Sequence, residues 1–249
     1  MIRVAVSGAG GKLAGAIIPA IEEADDLELS ALFNPNRDGQ DLGGRAIVAD
    51  PASVSADVIV EAAHPDRVFD NLEIWRDTGS AVVVGTSGFT PYRLNLLNSL
   101  WGTATPCLVV PNFSIGASLM MRFAAEAARH FEAVEIIERH HATKHDAPSG
   151  TALASAMGIS EEGGKSSALS DELVAGARGA DVEGVRVHSV RLPGLISQQE
   201  VALSNPGEVL SIEHLSTSYD SFASGALRAI RNVRSLGGGV HLGLDQVLG

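Results

Sequence analysis

The sequence predicts an α/β protein. An N-terminal Rossmann-like, doubly wound parallel sheet should be followed by a second α+β domain built on a mixed or antiparallel sheet. Three observations predict it. A β-branched run leads directly into a glycine turn and an apolar helix. Short, wholly apolar runs then alternate with helical patterns as far as residue 113. Beyond that point the alternation gives way to strand-like runs separated by tight turns.

The first strand is Ile2 to Ser7, Ile-Arg-Val-Ala-Val-Ser, a run suited to burial on both faces. Gly8-Ala-Gly-Gly-Lys-Leu-Ala-Gly15 follows, and a helix is expected to about Ala24. Read as G-x-x-G-x-x-A, the frame is Gly8, Gly11 and Ala14. Gly8 suits the tight turn, the bare backbone admits a pyrophosphate, and the helix N-terminus meets its charge. The second strand is Leu27 to Phe33 and ends at Asn34-Pro-Asn-Arg37. A dinucleotide fold that prefers NAD often has an acid there. Asn34 suits a ribose and Arg37 a 2′-phosphate, with turn roles as the alternative for both. A short strand is expected at Ala46 to Val48 and another at Ala56 to Ala63. Pro65 to Asp77 has Val68, Leu72 and Trp75 at helical spacing. Ala81-Val-Val-Val84 reads as a strand, Pro91 to Trp101 as a helix and Cys107 to Val110 as a strand.

The pattern changes after Gly116. Ala117 to Phe131 is an alanine-rich helix, and Ala133 to Arg139 is a strand that delivers His140. A helix is expected from Thr151 to about Met157, then a mobile loop over residues 158 to 181. Gly184 to Leu192, Glu200 to Ser204 and Val209 to His214 read as strands, with Asn205-Pro-Gly207 turning the last two. Phe222 to Arg234 is a helix expected to return to the first domain, and Gly237-Gly-Gly239 opens a short tail. The expected boundaries are 1–113 plus 223–249 for dinucleotide binding and 114–222 for the second domain.

Composition narrows the function. The 249 residues are 45% hydrophobic and 19% charged, which fits a folded α/β chain and not a disordered one. A formal net charge of -12 argues against nucleic acid and anionic membrane as partners, so an anionic substrate needs a local basic pocket. The single cysteine, Cys107, lies in an apolar stretch and reads as core. No disulfide framework, signal peptide or bilayer-length apolar run is expected, which leads to a cytoplasmic assignment.

The chemistry concentrates at Glu138-Arg-His-His-Ala-Thr-Lys-His-Asp-Ala-Pro-Ser-Gly-Thr151. His140, His141 and His145 stand close to Lys144 and Asp146. Histidine titrates nearest neutrality, so the cluster suits proton transfer. Ser149, Gly150 and Thr151 open a helix whose N-terminus can receive an anion, Ser149 or Thr151 serving otherwise as a plain cap. No metal is expected, because no cysteine or second histidine pair has ligand spacing.

The stretch Glu-x-His-His-x-x-Lys-x-Asp-Ala-Pro-Ser-Gly-Thr resembles the signature of the dihydrodipicolinate reductase family. Gly8-Ala-x-Gly-Lys-Leu13, Val84-Gly-Thr-Ser-Gly-Phe89, Pro111-Asn-Phe-Ser-Ile-Gly116, Arg178-Gly-Ala-Asp-Val-x-Gly184 and Phe222-Ala-x-Gly-Ala226 keep the family's order. The resemblance implies NADPH- or NADH-dependent reduction of 4-hydroxy-tetrahydrodipicolinate in diaminopimelate and lysine biosynthesis. His140 and Lys144 carry over as catalytic residues. His141, Ser149, Gly150 and Thr151 carry over as substrate ligands. Gly8, Ala9, Gly10, Gly11, Lys12 and Leu13 would cradle the pyrophosphate, with Asn34 at the ribose. Gly85, Thr86 and Ser87, with Val110, Pro111, Asn112 and Phe113, would line the nicotinamide side. A small cyclic dicarboxylate is the implied substrate, and a homotetramer formed through the second domain's sheet is the implied assembly. The chain departs from the family at Ala14, which ends the glycine triplet, and at Ser87, which replaces a Thr, and more seriously at three other positions. Ala62 and Ala63 replace larger and hydroxyl-bearing side chains, and Tyr219 replaces an Arg. Two alternatives accompany this reading: a paralogue acting on another cyclic imine carboxylate, and a non-catalytic dinucleotide sensor.

Overall fold

In the computed structural model, which describes residues 1–86, 88–167 and 171–249, β1 (Ile2–Ser7) is the hub of an eight-stranded sheet. Its last four residues are fully buried, as a strand covered on both faces requires. The glycine turn delivers the chain to α1 (Lys12–Glu22), whose Ala14, Ile17, Ile18 and Ile21 fall on one face and are buried. Next come β2 (Leu27–Phe33), the antiparallel pair β3 (Asp41–Leu42) and β4 (Arg45–Val48), then β5 (Val58–Glu61) and α2 (Val68–Arg76). β6 (Ala81–Val84), α3 (Pro91–Trp101) and β7 (Pro106–Val109) complete the alternation. With β13 (Gly239–Leu242) from the end of the chain, the spatial order is β13-β7-β6-β5-β1-β2-β4-β3, and every pair except β3–β4 is parallel.

Each face of this sheet has its own core. One is built on Val4, Val6, Ile17, Ile21 and Leu108. The other is built on Ile59, Leu72, Trp75, Leu97 and Trp101. In the second core Phe33 meets Trp75 edge to face at 5.0 Å. Cys107 is fully buried there, and burial pushes its thiol well above the ordinary range.

The chain then forms α4 (Ile115–Ala128), β8 (Ala133–His140), α5 (Gly150–Glu161), β9 (Ala180–Val182), β10 (Val185–Arg191), β11 (Ser197–Asn205) and β12 (Glu208–Ser216). The second sheet has the order β12-β11-β8-β10-β9. Only β8 and β10 are parallel, so the sheet is mixed. β8 alternates half-buried and buried residues, and Val134, Ile136, Glu138 and His140 share the buried face. Ala124, Ala128, Ala156 and Ile159 close its core.

Two expectations are corrected. The loop expected over 158–181 is shorter, because α5 continues through Gly158 to Glu161 and β9 starts at Ala180; positions 168–170 lie outside the described residues. The tail after Gly237 is no loose end. After α6 (Ser221–Asn232), β13 (Gly239–Leu242) adds a parallel edge strand to β7, and Leu244 and Val247 enter the first core. The chain divides into two compact units, Met1–Ile115 with Tyr219–Gly249, and Gly116–Ser218.

Candidate active site

The first unit carries a cleft of about 890 Å³ at the carboxyl ends of β1, β2 and β5. Gly8 and Gly10 both adopt positive φ, 83° and 84°, which the turn requires. A Cβ on Gly8 would come within 2.5 Å of the Ala62 carbonyl oxygen, so the turn packs directly on the end of β5. Gly11 caps α1 with no side-chain hydrogen bond, leaving the first-turn N–H groups facing the cleft mouth. Gly8, Gly10, Gly11, Lys12, Leu13, Asn34, Gly85 and Thr86 line this cleft. Bare turn, uncapped helix N-terminus and cations together fit a dinucleotide pyrophosphate.

The remaining expected residues sit differently. Ala9 and Val110 are buried in the core, and so is Phe113, whose ring lies against Gly85. Pro111 and Asn112 are half-buried and outside the cleft lining, and Ser87 lies outside the described residues. The Asn34 amide is partly engaged: Nδ2 donates to Ala9 O at 2.8 Å, and Oδ1 accepts from Asn36 N at 3.0 Å. It straps the glycine turn to the end of β2.

Two side chains outside the family signature shape the cleft wall. Glu61, wholly buried, accepts from Ala63 N at 2.8 Å and from Trp75 Nε1 at 2.7 Å. Burial pushes its carboxyl above the ordinary range against those hydrogen bonds. Arg93 donates to Gly88 O at 3.0 Å and to Pro65 O at 2.7 Å, with its guanidinium over Phe69 and Phe89. It ties the turn after β6 to the turn after β5.

In the second unit the histidine cluster separates. His140 is 8% exposed, His141 is half-buried and His145 is exposed. His140 lies opposite Arg191 on β10 and opposite Ser197 on β11. Three strands therefore bring together residues up to 57 positions apart. His140 Nδ1 is 2.5 Å from Glu138 Oε2, and Nε2 is 3.1 Å from Ser197 Oγ. Arg191 grips the same carboxylate with both ends of its fork, at 2.8 and 2.9 Å, and donates to Asp146 O at 2.6 Å.

Burial alone would raise the Glu138 carboxyl. The hydrogen bonds from His140, Arg191 and Ser189 outweigh it and bring it down to about 2. Glu138 is thus an acceptor at neutral pH, so Nδ1 of His140 donates to it and Nε2 is left to pair with the Ser197 hydroxyl. Lys144 Nζ donates to Asp146 Oδ2 at 2.8 Å. Burial opposes ionisation of Asp146, but Lys144 holds its carboxyl below the ordinary value. His141 Nδ1 pairs with Thr143 Oγ1 at 2.8 Å.

Ser149 caps α5, its Oγ accepting from Ala152 N and its own N–H donating to Glu138. Its hydroxyl oxygen caps the helix, which begins at Gly150 and not at Thr151, and its O–H is left to donate. Gly150 and Thr151 occupy the first turn, where backbone N–H groups point out of the helix. Arg191 and Ser197 carry no local sequence signal, since only strand register brings them to His140. Among the described residues no group of three or more metal-ligating side chains is present.

Comparison with known proteins bears on both units. Residues 2–113 match the family described as dihydrodipicolinate reductase, N-terminus, and residues 116–248 match its C-terminus. The 4-hydroxy-tetrahydrodipicolinate reductase of Nocardia farcinica is 46% identical, covering 99% of this chain and 98% of the relative. That of Cutibacterium acnes is 44% identical over 100% and 99%. A solved dipicolinate-bound dihydrodipicolinate reductase from Paenisporosarcina sp. TG-14 superposes with a TM-score of 0.82 at 33% identity, each chain fully covered.

Proposed function

The chain belongs to the dihydrodipicolinate reductase family, and from that premise we propose how its residues divide the work of an NAD(P)-dependent oxidoreductase of the lysine and diaminopimelate pathway. The reaction is the reduction of 4-hydroxy-tetrahydrodipicolinate to tetrahydrodipicolinate. The first unit is assigned to the coenzyme, with Gly8, Gly10, Gly11 and Lys12 at the pyrophosphate. When bound, the reduced nicotinamide supplies a hydride. Water is released in the net change and one proton is consumed, so the protein must hold a proton donor near the substrate.

The second unit is assigned to that donor and to substrate binding. The single observation that carries the reading is the array Arg191–Glu138–His140–Ser197, with Glu138 and His140 buried at its centre. The ionised Glu138 fixes the orientation of the ring and the proton on Nδ1, as an acid–base histidine needs. Nε2, with Ser197 Oγ 3.1 Å away, is the ring nitrogen left to exchange a proton with the substrate. Lys144 is assigned to a substrate carboxylate that replaces Asp146, with His141, Gly150 and Thr151 at the other carboxylate. The dipicolinate in the solved relative is a cyclic dicarboxylate of this class. In a chain of net charge -12, a local cation and a helix N-terminus are what such a ligand requires.

A homotetramer is the proposed assembly, supported by β12 at the edge of the second sheet with Val209, Leu210 and Leu215 exposed. Light scattering should return four times the 25.8 kDa chain mass. No helix is long and apolar enough to cross a membrane, and a cytoplasmic location is proposed from the biosynthetic role. The deciding assay follows nicotinamide absorbance with substrate generated in the cuvette from pyruvate and aspartate semialdehyde by the preceding synthase. His140→Gln and Lys144→Ala should each lower turnover roughly 10²–10⁴-fold with coenzyme affinity unchanged. Unaltered turnover in either variant would remove the role assigned to that residue.

A further inference from the structure

We propose that Arg37 makes this chain select NADPH over NADH, an inference that rests on the dinucleotide assignment of the cleft above. The Rossmann strand that reads the adenosine ribose is β2, and its end decides between the two coenzymes. A carboxylate there grips the ribose hydroxyls and repels a 2′-phosphate. This chain has Asn34, whose amide donates to the glycine turn and accepts from Asn36 N. The position therefore offers no carboxylate to repel a 2′-phosphate.

Three residues on stands Arg37, exposed at the cleft rim. Its side chain lies flat over the glycine turn: a Cβ on Gly10 would be 3.1 Å from its Cδ, Nε and Cζ. The bare backbone of Gly10 is what lets the guanidinium rest there, beside the pyrophosphate cradle. Among the described residues no ion pair engages Arg37. The neighbouring carboxylates are turned to backbone: Asp38 Oδ1 accepts from Ala49 N at 3.0 Å, and Asp50 Oδ1 accepts from Ala52 N at 2.9 Å.

The charge balance of the cleft points the same way. Lys12, Arg37 and Arg67 line it, against one acid, Asp70, which pairs with Arg67 at 3.4 Å. A chain of net charge -12 thus lines one cleft with two cations, Lys12 and Arg37, that no ion pair engages among the described residues. NADPH differs from NADH by one phosphate, dianionic or nearly so at neutral pH. A planar guanidinium recognises it through two parallel hydrogen bonds.

The test is isothermal titration of the full chain with NADPH, NADH, 2′,5′-ADP and 5′-AMP, the last two differing only by the 2′-phosphate. The intact protein should bind NADPH at least about tenfold more tightly than NADH, and 2′,5′-ADP more tightly than 5′-AMP by a similar factor. Arg37→Ala should cost NADPH at least about tenfold and NADH less than about threefold, and Arg37→Lys should fall between. Equal weakening of both coenzymes by Arg37→Ala would show that the side chain only stacks on adenine and would overturn the proposal. NADH binding as tightly as NADPH in the intact protein would overturn it too, with the dinucleotide assignment left standing. Binding of neither coenzyme would overturn that assignment itself.

Discussion

Glu138 illustrates how one buried charge organises a site. It accepts from His140, Arg191 and the Ser149 amide, and none of its surface is exposed. Its carboxyl lies near 2 in the folded chain against an ordinary 4.5, so it adds stability at every pH above about 4.5. That contribution is lost as pH falls from about 4.5 through about 2, and it amounts to roughly 3 kcal/mol. Urea unfolding of the intact chain across this window should reveal the loss. Glu138→Gln should lack it there, because its amide does not titrate, and it should be less stable at neutral pH because Arg191 loses its only carboxylate partner among the described residues. An identical acid profile in the two proteins would refute the assignment. His140 and Lys144 are legible in the sequence because the turn places them within five residues of one another. Arg191 and Ser197 are not, because their partnership with His140 exists only in the register of β10 and β11 against β8.

At the scale of elements, glycine explains both what the sequence displays and what it conceals. Gly158 looks like a helix breaker, yet α5 runs through it, at a cost of about 1 kcal/mol relative to alanine, and a Cβ there would meet nothing closer than 3.9 Å. Gly225, in the stretch Phe222-Ala-x-Gly-Ala226, is the opposite case. A Cβ there would overlap the Phe113 carbonyl oxygen, so α6 rests on bare backbone at the end of the β7 segment. Gly225→Ala should therefore lower stability by about 3 kcal/mol or more, seen as a fall in Tm, whereas Gly158→Ala should leave Tm unchanged or raise it. Equal behaviour of the two variants would show that helix propensity, not packing, governs both. β13 was concealed by a glycine run that reads as loop. Four residues suffice for an edge strand when β7 already offers a template.

For the whole molecule, chain order and spatial order disagree in a useful way. The first unit is made from both ends of the chain and the second from its uninterrupted middle. The alternation of strand and helix made the first unit readable up to β7, and the shift to consecutive strands marked the second. The closing of the first unit by α6 and β13 depends on contacts with residues more than a hundred positions earlier, such as Arg231 with Asp26. Deleting residues 237–249 should expose the β7 edge, remove Leu244 and Val247 from the core, and abolish coenzyme binding along with cooperative unfolding of the first unit. A truncated chain that still titrates with NADPH at full affinity would show that the last strand is dispensable.

Cys107 gives that architecture a clock. It is the chain's single thiol, set in β7 between β6 and β13, fully covered and held protonated by its surroundings. A thiol reagent therefore has nothing to react with until those strands part, and the labelling rate becomes a direct count of opening events in the first sheet. Coenzyme bound to the same sheet should slow the count in proportion to its occupancy, so one unmodified native side chain reports breathing and ligation without any introduced probe.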